Sequence, residues 1–412
     1  MNKKTLSLVS LGCAKNAVDL QVRAGAMLKN GYVFSSNPDE ADTIVVNTCA
    51  FIESARAEAE NEILRALELK ARGKVGRVIV TGCYPERYPK MPPQFAEVDE
   101  WIGVPKIWEK PKMPALRFTG KAYAYLKIAE GCVHRCAYCA IPSIRGKYRS
   151  RPMADIISEA KELIKTGCKE LNIVAQDPML WREGEKRLAD LLWAIDKIKG
   201  EFWVRVLYSY PSEITEEFVI WMISSKHAVR YVDVPLQHTV PEVLEKMNRK
   251  AAIDASLAAA EALREIVPEI TLRTTIMTGF PGETEKRFKT MMSDLRRMQF
   301  DHLGVFAYSP EAGTKGAKMR GRPARETAQA RERMVMEQQA EIWKYQSKRM
   351  LGKTYKALVI APGVARMASQ APEVDGVVYL SEGRKTRKAQ VGEFIEVKLE
   401  CAKGFDFVGR KV

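Results

Sequence analysis

Three cysteines, Cys132, Cys136 and Cys139, stand at CxxxCxxC spacing inside the stretch Glu130 to Arg151. The short apolar run at 124–128 just before them reads as a strand. The thiols therefore sit in a loop past a strand's carboxyl end, where α/β folds place their chemistry. Three thiolates this close can wrap one face of a cubic iron–sulfur cluster. Such a cluster ordinarily takes four cysteines, so three leave one iron open, and an open metal position is where a ligand binds and reacts. Zinc fits less well, because it favours paired CxxC units or following histidines, and only His134 lies nearby. Three thiols cannot pair off as disulfides.

A second set of three cysteines is tied to fold rather than to spacing. The N-terminal part alternates strands, at 5–10, 43–46 and 77–80, with helices at 18–29 and 53–72. That alternation predicts a parallel sheet with covered faces. A cysteine follows each strand: Cys13 after Ser-Leu-Gly, Cys49 after Val-Asn-Thr and Cys83 after Val-Thr-Gly. In a parallel sheet all three fall on one carboxyl edge, and Gly12 and Gly82 allow tight turns beside a bulky group. The plain alternative is three unrelated buried cysteines, since free Cys packs as a small hydrophobe. Equivalent placement after all three strands favours a second three-thiol cluster site.

The proline-rich run 85–114 reads as a connecting segment. From 121 to 309 the chain alternates again, with strands at 124–128, 171–175, 204–207, 231–234, 272–278 and 303–306 and helices between them. Six βα units suggest an incomplete barrel with its site at the carboxyl face. Several strand ends carry polar groups: Gln176-Asp177, Gln237-His238 and the run Gly279 to Thr284. Taken singly these are turns and helix caps; the glycine-rich run lacks the spacing and lysine of a phosphate loop. Arg145, Lys147, Arg149 and Arg151 alternate past the cysteine loop, either as a solvated basic edge or as a grip for an acidic substrate or phosphates. After a long helical stretch at 325–349, short strands at 355–360, 376–380, 394–399 and 405–408 suggest a small β-barrel. The expected division is 1–115, 116–343 and 344–412.

The 412 residues carry a net charge of +15, which calls for an acidic partner such as RNA or a ribosome. Nearly half of it, +7, lies between Lys344 and Val412, which favours a polyanion-facing module over a neutral cap. Eight cysteines in so long a chain are no disulfide framework, and a reducing, cytoplasmic setting fits them. Cys168 and Cys401 have no cluster-like neighbours and read as structural. No apolar run reaches membrane-spanning length. The start, Met1 to Cys13, resembles a lipoprotein signal, but its apolar run of about seven residues is short and broken by Ser7 and Ser10.

The CxxxCxxC loop, with Tyr138 before its last cysteine, resembles the signature of the radical S-adenosylmethionine (SAM) enzymes. The whole chain is similar to the methylthiotransferase family, whose members join an N-terminal cluster domain, a radical SAM barrel and a C-terminal TRAM barrel. The resemblance implies two [4Fe–4S] clusters, one on Cys13, Cys49 and Cys83 and one on Cys132, Cys136 and Cys139. It implies that the second binds and reductively cleaves SAM. One SAM would then methylate a sulfur species, and another would supply the radical that takes hydrogen from the substrate. An unactivated C–H bond demands such a cofactor, because acid–base chemistry cannot cleave it. Tyr138, Gln176, His238 and Gly279 are the candidates for holding SAM by position. No other catalytic residue stands out.

Two branches of that family differ in substrate. The opening Ser10-Leu11-Gly12-Cys13-Ala14-Lys15-Asn16, the run Ala140 to Lys147, Ala175-Gln176-Asp177 and Pro235-Leu236-Gln237-His238 resemble the RimO-type branch. That branch acts on the β-carbon of an aspartate on the twelfth small-subunit ribosomal protein. The MiaB-type branch, which acts on isopentenyl-adenosine in tRNA, is the alternative. The chain departs from the usual pattern at Val133 and at Pro178 to Trp181. A carboxylate substrate wants a cation such as an arginine of the basic run, whereas an adenine wants stacking rings, and Trp181 offers one. The implied partners are the ribosomal protein or the assembled small subunit, a flavodoxin- or ferredoxin-type electron donor, a sulfur donor and nearby rRNA. From other classes, a two-cluster electron carrier would need four thiolates per cluster, and an RNA-binding protein with structural metal leaves the cysteine loop without a role.

Overall fold

The computed structural model describes residues 4–105, 117–249, 251–267, 269–381 and 388–412, with the backbone alone at 251–256. Its N-terminal sheet is parallel, in the order Val33–Phe34, Thr5–Ser10, Thr43–Thr48, Arg77–Gly82, Glu100–Ile102. Alternate residues of the inner strands face opposite sides. Ile44, Val46, Val78 and Val80 pack on Ala59, Ile63 and Ala66 of the helix Glu53–Ala71. Val45 and Ile79 join Leu6 and Leu20, the last from the helix Ala14–Lys29. Covering both faces is what turns these strands into continuous apolar runs.

Two expectations shift here. The first helix begins at Ala14, not 18, with Cys13 as its extended N-cap residue. The apolar pattern hid this turn because its inward residue is Asn16, which is buried to hydrogen-bond Leu11 O at 2.8 Å and Thr48 O at 3.1 Å. The stretch 85–114 is more than a connector: it holds the edge strand Glu100–Ile102, paired with Arg77–Gly82. Residues 106–114 of that stretch, and the expected boundary at 115/116, lie outside the described residues.

The middle of the chain forms a parallel six-stranded sheet in chain order: Tyr123–Lys127, Glu170–Val174, Trp203–Val206, Ala228–Gln237, Thr271–Thr278 and His302–Ala307. This is the incomplete barrel that six βα units imply. Its core buries Trp181, Trp221, Phe202, Phe288 and Phe300, each contributing about 1.5–3 kcal/mol by leaving water.

The C-terminal strands Thr354–Ala361, Val364–Met367, Val378–Leu380, Phe394–Lys403 and Asp406–Lys411 close a small barrel. Val364–Met367 was not expected as a strand. Arg366 interrupts its apolar run, and the side chain turns inward to another domain. Arg366 Nη1 lies 3.3 Å from Glu170 Oε1, which also accepts from Arg205 Nε at 2.9 Å. All three side chains are buried. Tyr231 donates to Asp375 at 2.7 Å, and His302 Nε2 meets Ser369 O at 2.7 Å. Glu170 begins its strand, so this junction closes the amino edge of the large sheet, opposite the cysteine loops. The helix Arg325–Met350 runs through the expected 343/344 boundary.

Candidate active site

Cys13, Cys49 and Cys83 stand at the carboxyl edge of the N-terminal sheet, each just past its strand. Gly12 makes their approach possible. Its φ is +87°, and a Cβ there would stand 2.9 Å from Cys49 Cβ and 3.3 Å from Cys49 Sγ. The first and second cysteine turns are thus in contact. Asn16 ties the set together: its Nδ2 holds the backbone before Cys13 and Cys49, and its Oδ1 lies 4.0 Å from Cys83 Sγ.

The second loop grows from the strand Tyr123–Lys127 through the hairpin Ala129–Glu130 with Arg149–Ser150. Cys132, Cys136 and Cys139 are all half-buried in it. The short helix Ile141–Arg145 follows, and its last residue crosses to the first site. Arg145 Nη2 donates to Cys83 Sγ at 3.1 Å and to Asn16 Oδ1 at 3.2 Å. Its Nη1 donates to Asp19 Oδ2 at 2.5 Å and to Glu130 Oε2 at 3.1 Å. Lys127 Nζ pairs with Asp19 Oδ1 at 2.6 Å and with Glu130. Burial opposes ionisation of Glu130, yet Lys127 and Arg145 hold its carboxyl well below the usual range.

This overturns one expectation. Arg145 and Arg151 are neither a solvated edge nor a free grip, because both are buried. Arg151 donates to Lys127 O at 2.6 Å and pairs with Glu159 at 2.7 Å. A buried guanidinium must spend its donors on fixed acceptors, so these two build the site rather than hold a substrate. Lys147 and Arg149 stay exposed. Trp181 is buried too, its Nε1 donating to Arg151 O at 3.0 Å, so it offers no ring for a base. The divergent run Pro178–Leu180 forms a single 3-10 turn capped by Asp177, and Val133 is 55 % exposed on the cysteine loop.

The four residues expected near SAM divide into two pairs. Gln176 Nε2 donates to Glu130 Oε1 at 2.7 Å, so it borders the Arg145 network. The Tyr138 hydroxyl accepts from Arg249 Nη1 at 3.3 Å, and the same nitrogen lies 3.8 Å from Cys136 Sγ. His238 is fully buried, with Nδ1 accepting from Val240 N at 3.0 Å and Nε2 3.4 Å from Glu283 Oε2. Gly279 N–H donates to Glu283 Oε1 at 2.9 Å, and Gly279 lines a cavity of about 590 Å³ with Tyr308, Arg322 and Ile52.

Arg249, Tyr208 and Tyr210, near the loops, were not singled out from the sequence. Arg249 lies over the Tyr210 ring at 4.2 Å, and His134 stacks on that ring at 3.9 Å while bonding Asp177 Oδ2 at 2.7 Å. Tyr208 has a φ of +70°, uncommon for a tyrosine, and its ring carries Lys15 Nζ at 3.3 Å. Such strained residues cluster at functional sites. The one available signal was Tyr-Ser-Tyr-Pro directly past a barrel strand. Cys168 is buried, as a structural cysteine should be, whereas Cys401 is exposed on the small barrel.

The thiols suit a metal cluster chemically. Burial pushes Cys83 and Cys139 up to about 12 and Cys132 up to about 11. The surrounding protein desolvates the Cys13 thiol too, exposed as its side chain is, but the charges of Lys15 and Arg145 win, and the thiol falls below the ordinary value. Buried thiols of this kind ionise against a strong local cation, as metal ligands do, and are poor free nucleophiles. Among the described residues no three His, Cys, Asp or Glu gather closely enough for a single metal ion.

Comparison with known proteins shows the family of the chain. The chain is 37 % identical to the ribosomal protein uS12 methylthiotransferase RimO of Elusimicrobium minutum, over 98 % of this chain and 98 % of that one. It is 36 % identical to the RimO of Desulfitobacterium hafniense, over 100 % and 99 %. The chain belongs to the RimO-type radical SAM methylthiotransferase family. Three segments of this RimO-type chain match family descriptions: Uncharacterized protein family UPF0004 at 5–103, Radical SAM superfamily at 126–295 and TRAM domain at 351–412. The Radical SAM match carries with it a [4Fe–4S] cluster and SAM as cofactors. The fold resembles the radical SAM methyltransferase TsrM of Kitasatospora setae, with a TM-score of 0.54 and 15 % identity over 74 % of this chain and 73 % of that one. It also resembles the cobalamin-dependent radical SAM enzyme OxsB, with a TM-score of 0.51 and 11 % identity over 81 % and 56 %. Among the described residues no helix of this RimO-type chain is long and apolar enough to cross a membrane.

Proposed function

We propose that this chain adds a methylthio group to an aspartate side chain of ribosomal protein uS12, in the free protein or in the assembled small subunit. The end-to-end likeness to RimO relatives is the observation that carries this reading. In it, Cys132, Cys136 and Cys139 hold the SAM-cleaving [4Fe–4S] cluster, and Cys13, Cys49 and Cys83 hold a second. When bound, the first supplies the electron that turns SAM into a hydrogen-abstracting agent, which an unactivated C–H bond requires.

The chain's own residues bind, orient and enclose. Tyr138 and Gln176 border the space beside the CxxxCxxC loop, Tyr138 with its hydroxyl held by Arg249 and Gln176 with its amide held by Glu130. His238 and Gly279 act from behind through Glu283, which Arg331 pins at 2.7 Å. Arg145 joins the two thiol sites into one wall. Lys15, half-buried beside Cys13 and resting on Tyr208, is the cation placed to receive the substrate carboxylate. Holding reactants at fixed geometry in an enclosed site is the protein's main contribution. A flavodoxin- or ferredoxin-type donor, a separate sulfur donor, nearby rRNA and a cytoplasmic setting complete the proposal.

The test offers purified uS12 or small subunits, and in parallel an isopentenylated tRNA, with SAM, sulfide and a reductant. A mass gain of about 46 daltons, hydrogen replaced by methylthio, is expected on the protein alone. The same gain on tRNA alone would move the chain to the other branch.

A further inference from the structure

One short segment touches both cysteine sites. It leaves the last large-sheet strand, His302–Ala307, and runs to the turn Gly316–Lys318. Near its start lies Glu311, only 1 % exposed. Glu311 Oε1 accepts from the Glu53 backbone N–H at 2.9 Å and from Ser309 Oγ at 2.9 Å. Its Oε2 accepts from Arg87 Nη1 at 3.1 Å and from Arg56 Nη1. Arg87 also donates to Ala50 O at 2.7 Å and to Ala312 O at 3.1 Å. Glu53 opens the helix that follows Cys49, and Arg87 ends the helix Cys83–Arg87. One buried carboxylate thus grips the elements that leave two of the three N-terminal cysteines. Charge-assisted bonds of this kind are the strong ones.

The far end grips the other loop. Gly316 N–H donates to Ala137 O at 2.6 Å, and Ala137 lies between Cys136 and Cys139. A Cβ on Gly316 would stand 2.6 Å from the Tyr308 hydroxyl and 3.0 Å from Ala137 O, so the contact needs glycine. Five residues of chain reach at most about 18 Å, so the link between the two grips is short.

We infer that Glu311 is a positioning residue, and that the segment 309–316 sets the separation and orientation of the two cluster sites. This rests on the reading that each set of three cysteines carries a cluster. Methylthio transfer requires both sites and the substrate carbon to line up. Reductive SAM cleavage requires only the CxxxCxxC site. Loosening the Glu311 grip should therefore damage the first and spare the second.

The test uses the reconstituted full-length chain as wild type, Glu311→Gln, Arg56→Gln and Gly316→Ala. Iron content, 5′-deoxyadenosine formation, methylthio product and the intercluster distance by pulsed EPR are read for each. Glu311→Gln and Arg56→Gln should keep wild-type iron and SAM cleavage, with a broadened intercluster distance. Their product per 5′-deoxyadenosine should fall, on the order of a hundredfold for a shift near 1 Å. Gly316→Ala should instead lose SAM cleavage while the N-terminal cluster's signal stays. Unchanged distance and product ratio in both Glu311→Gln and Arg56→Gln would overturn the inference, as would parallel loss of cleavage and product. Wild-type protein carrying iron for one cluster only would overturn the two-cluster reading itself, and it is recognised before any variant is made.

Discussion

Arg145 Nη2 stands 3.1 Å from Cys83 Sγ. The arginine belongs to the loop that the Radical SAM match covers, and the cysteine to the N-terminal domain. The contact ties the segment just past the CxxxCxxC loop to the N-terminal cysteine site, which is far away in sequence. It also explains why Arg145 is buried: Asp19 and Glu130 neutralise it, and Lys127 balances them. Arg145→Met leaves two buried carboxylates with a single cation, at a cost of about 3–5 kcal/mol. The urea midpoint should fall accordingly, and iron on the N-terminal site should be lost first. Arg145→Lys keeps the charge but not the fork of donors, and should fall between. Iron analysis and urea unfolding at neutral pH measure both effects.

The two cysteine sets should fail differently. Wild-type protein reconstituted without oxygen should bind roughly eight irons, four per cluster, and either triple Cys→Ala variant roughly four. Cys132→Ala should abolish SAM cleavage, while Cys49→Ala should cleave SAM without forming product. A triple variant that keeps full iron contradicts the assignment.

Lys15 is tested by removing its charge. Lys15→Met should leave iron content and uncoupled SAM cleavage within about twofold of wild type. Turnover on uS12 should fall about tenfold or more through a higher KM, since a charged hydrogen bond contributes about 1.5–3 kcal/mol. An unchanged KM would remove Lys15 from substrate recognition.

The charge of the C-terminal barrel reads as a polyanion-facing module, and a module of that kind could be removed without harm to the two cysteine sites. The Glu170–Arg366 junction argues otherwise. Truncation would open Glu170 to water and strip Leu358, Ala371 and Phe394 from the apolar cluster they share with Trp203 and Tyr231, at about 25 cal/mol per Å² of apolar surface uncovered. Soluble protein with both clusters after truncation would contradict this.

The same junction makes a pH signature. Burial raises the Glu170 pKa, but Arg366 and Arg205 outweigh it and hold the carboxyl below its ordinary value. Its contribution is therefore complete above the ordinary value and is lost as pH falls through the depressed one. The gap in urea midpoint between wild type and Glu170→Gln should be wide at pH 7 and should shrink in acid below the usual carboxylate range. A gap that widens in acid would contradict the assignment.

Local chemistry alone determined much of this protein. The CxxxCxxC spacing, the cysteine after each N-terminal strand and the six apolar strand runs are features of neighbouring residues, and each reports a loop, an edge or a period that tertiary structure leaves intact. Residues whose partners are distant in sequence were beyond that reach. Arg145 and Arg151 look like a solvated basic edge until Asp19, Glu130 and Glu159 are brought beside them. Arg366 breaks the apolar pattern of its strand because its partner, Glu170, lies in another domain. Glu311 sits in a loop with no motif, yet three segments converge on its carboxylate. A buried ion pair leaves no periodic trace, because its stability comes from a partner that only the fold supplies.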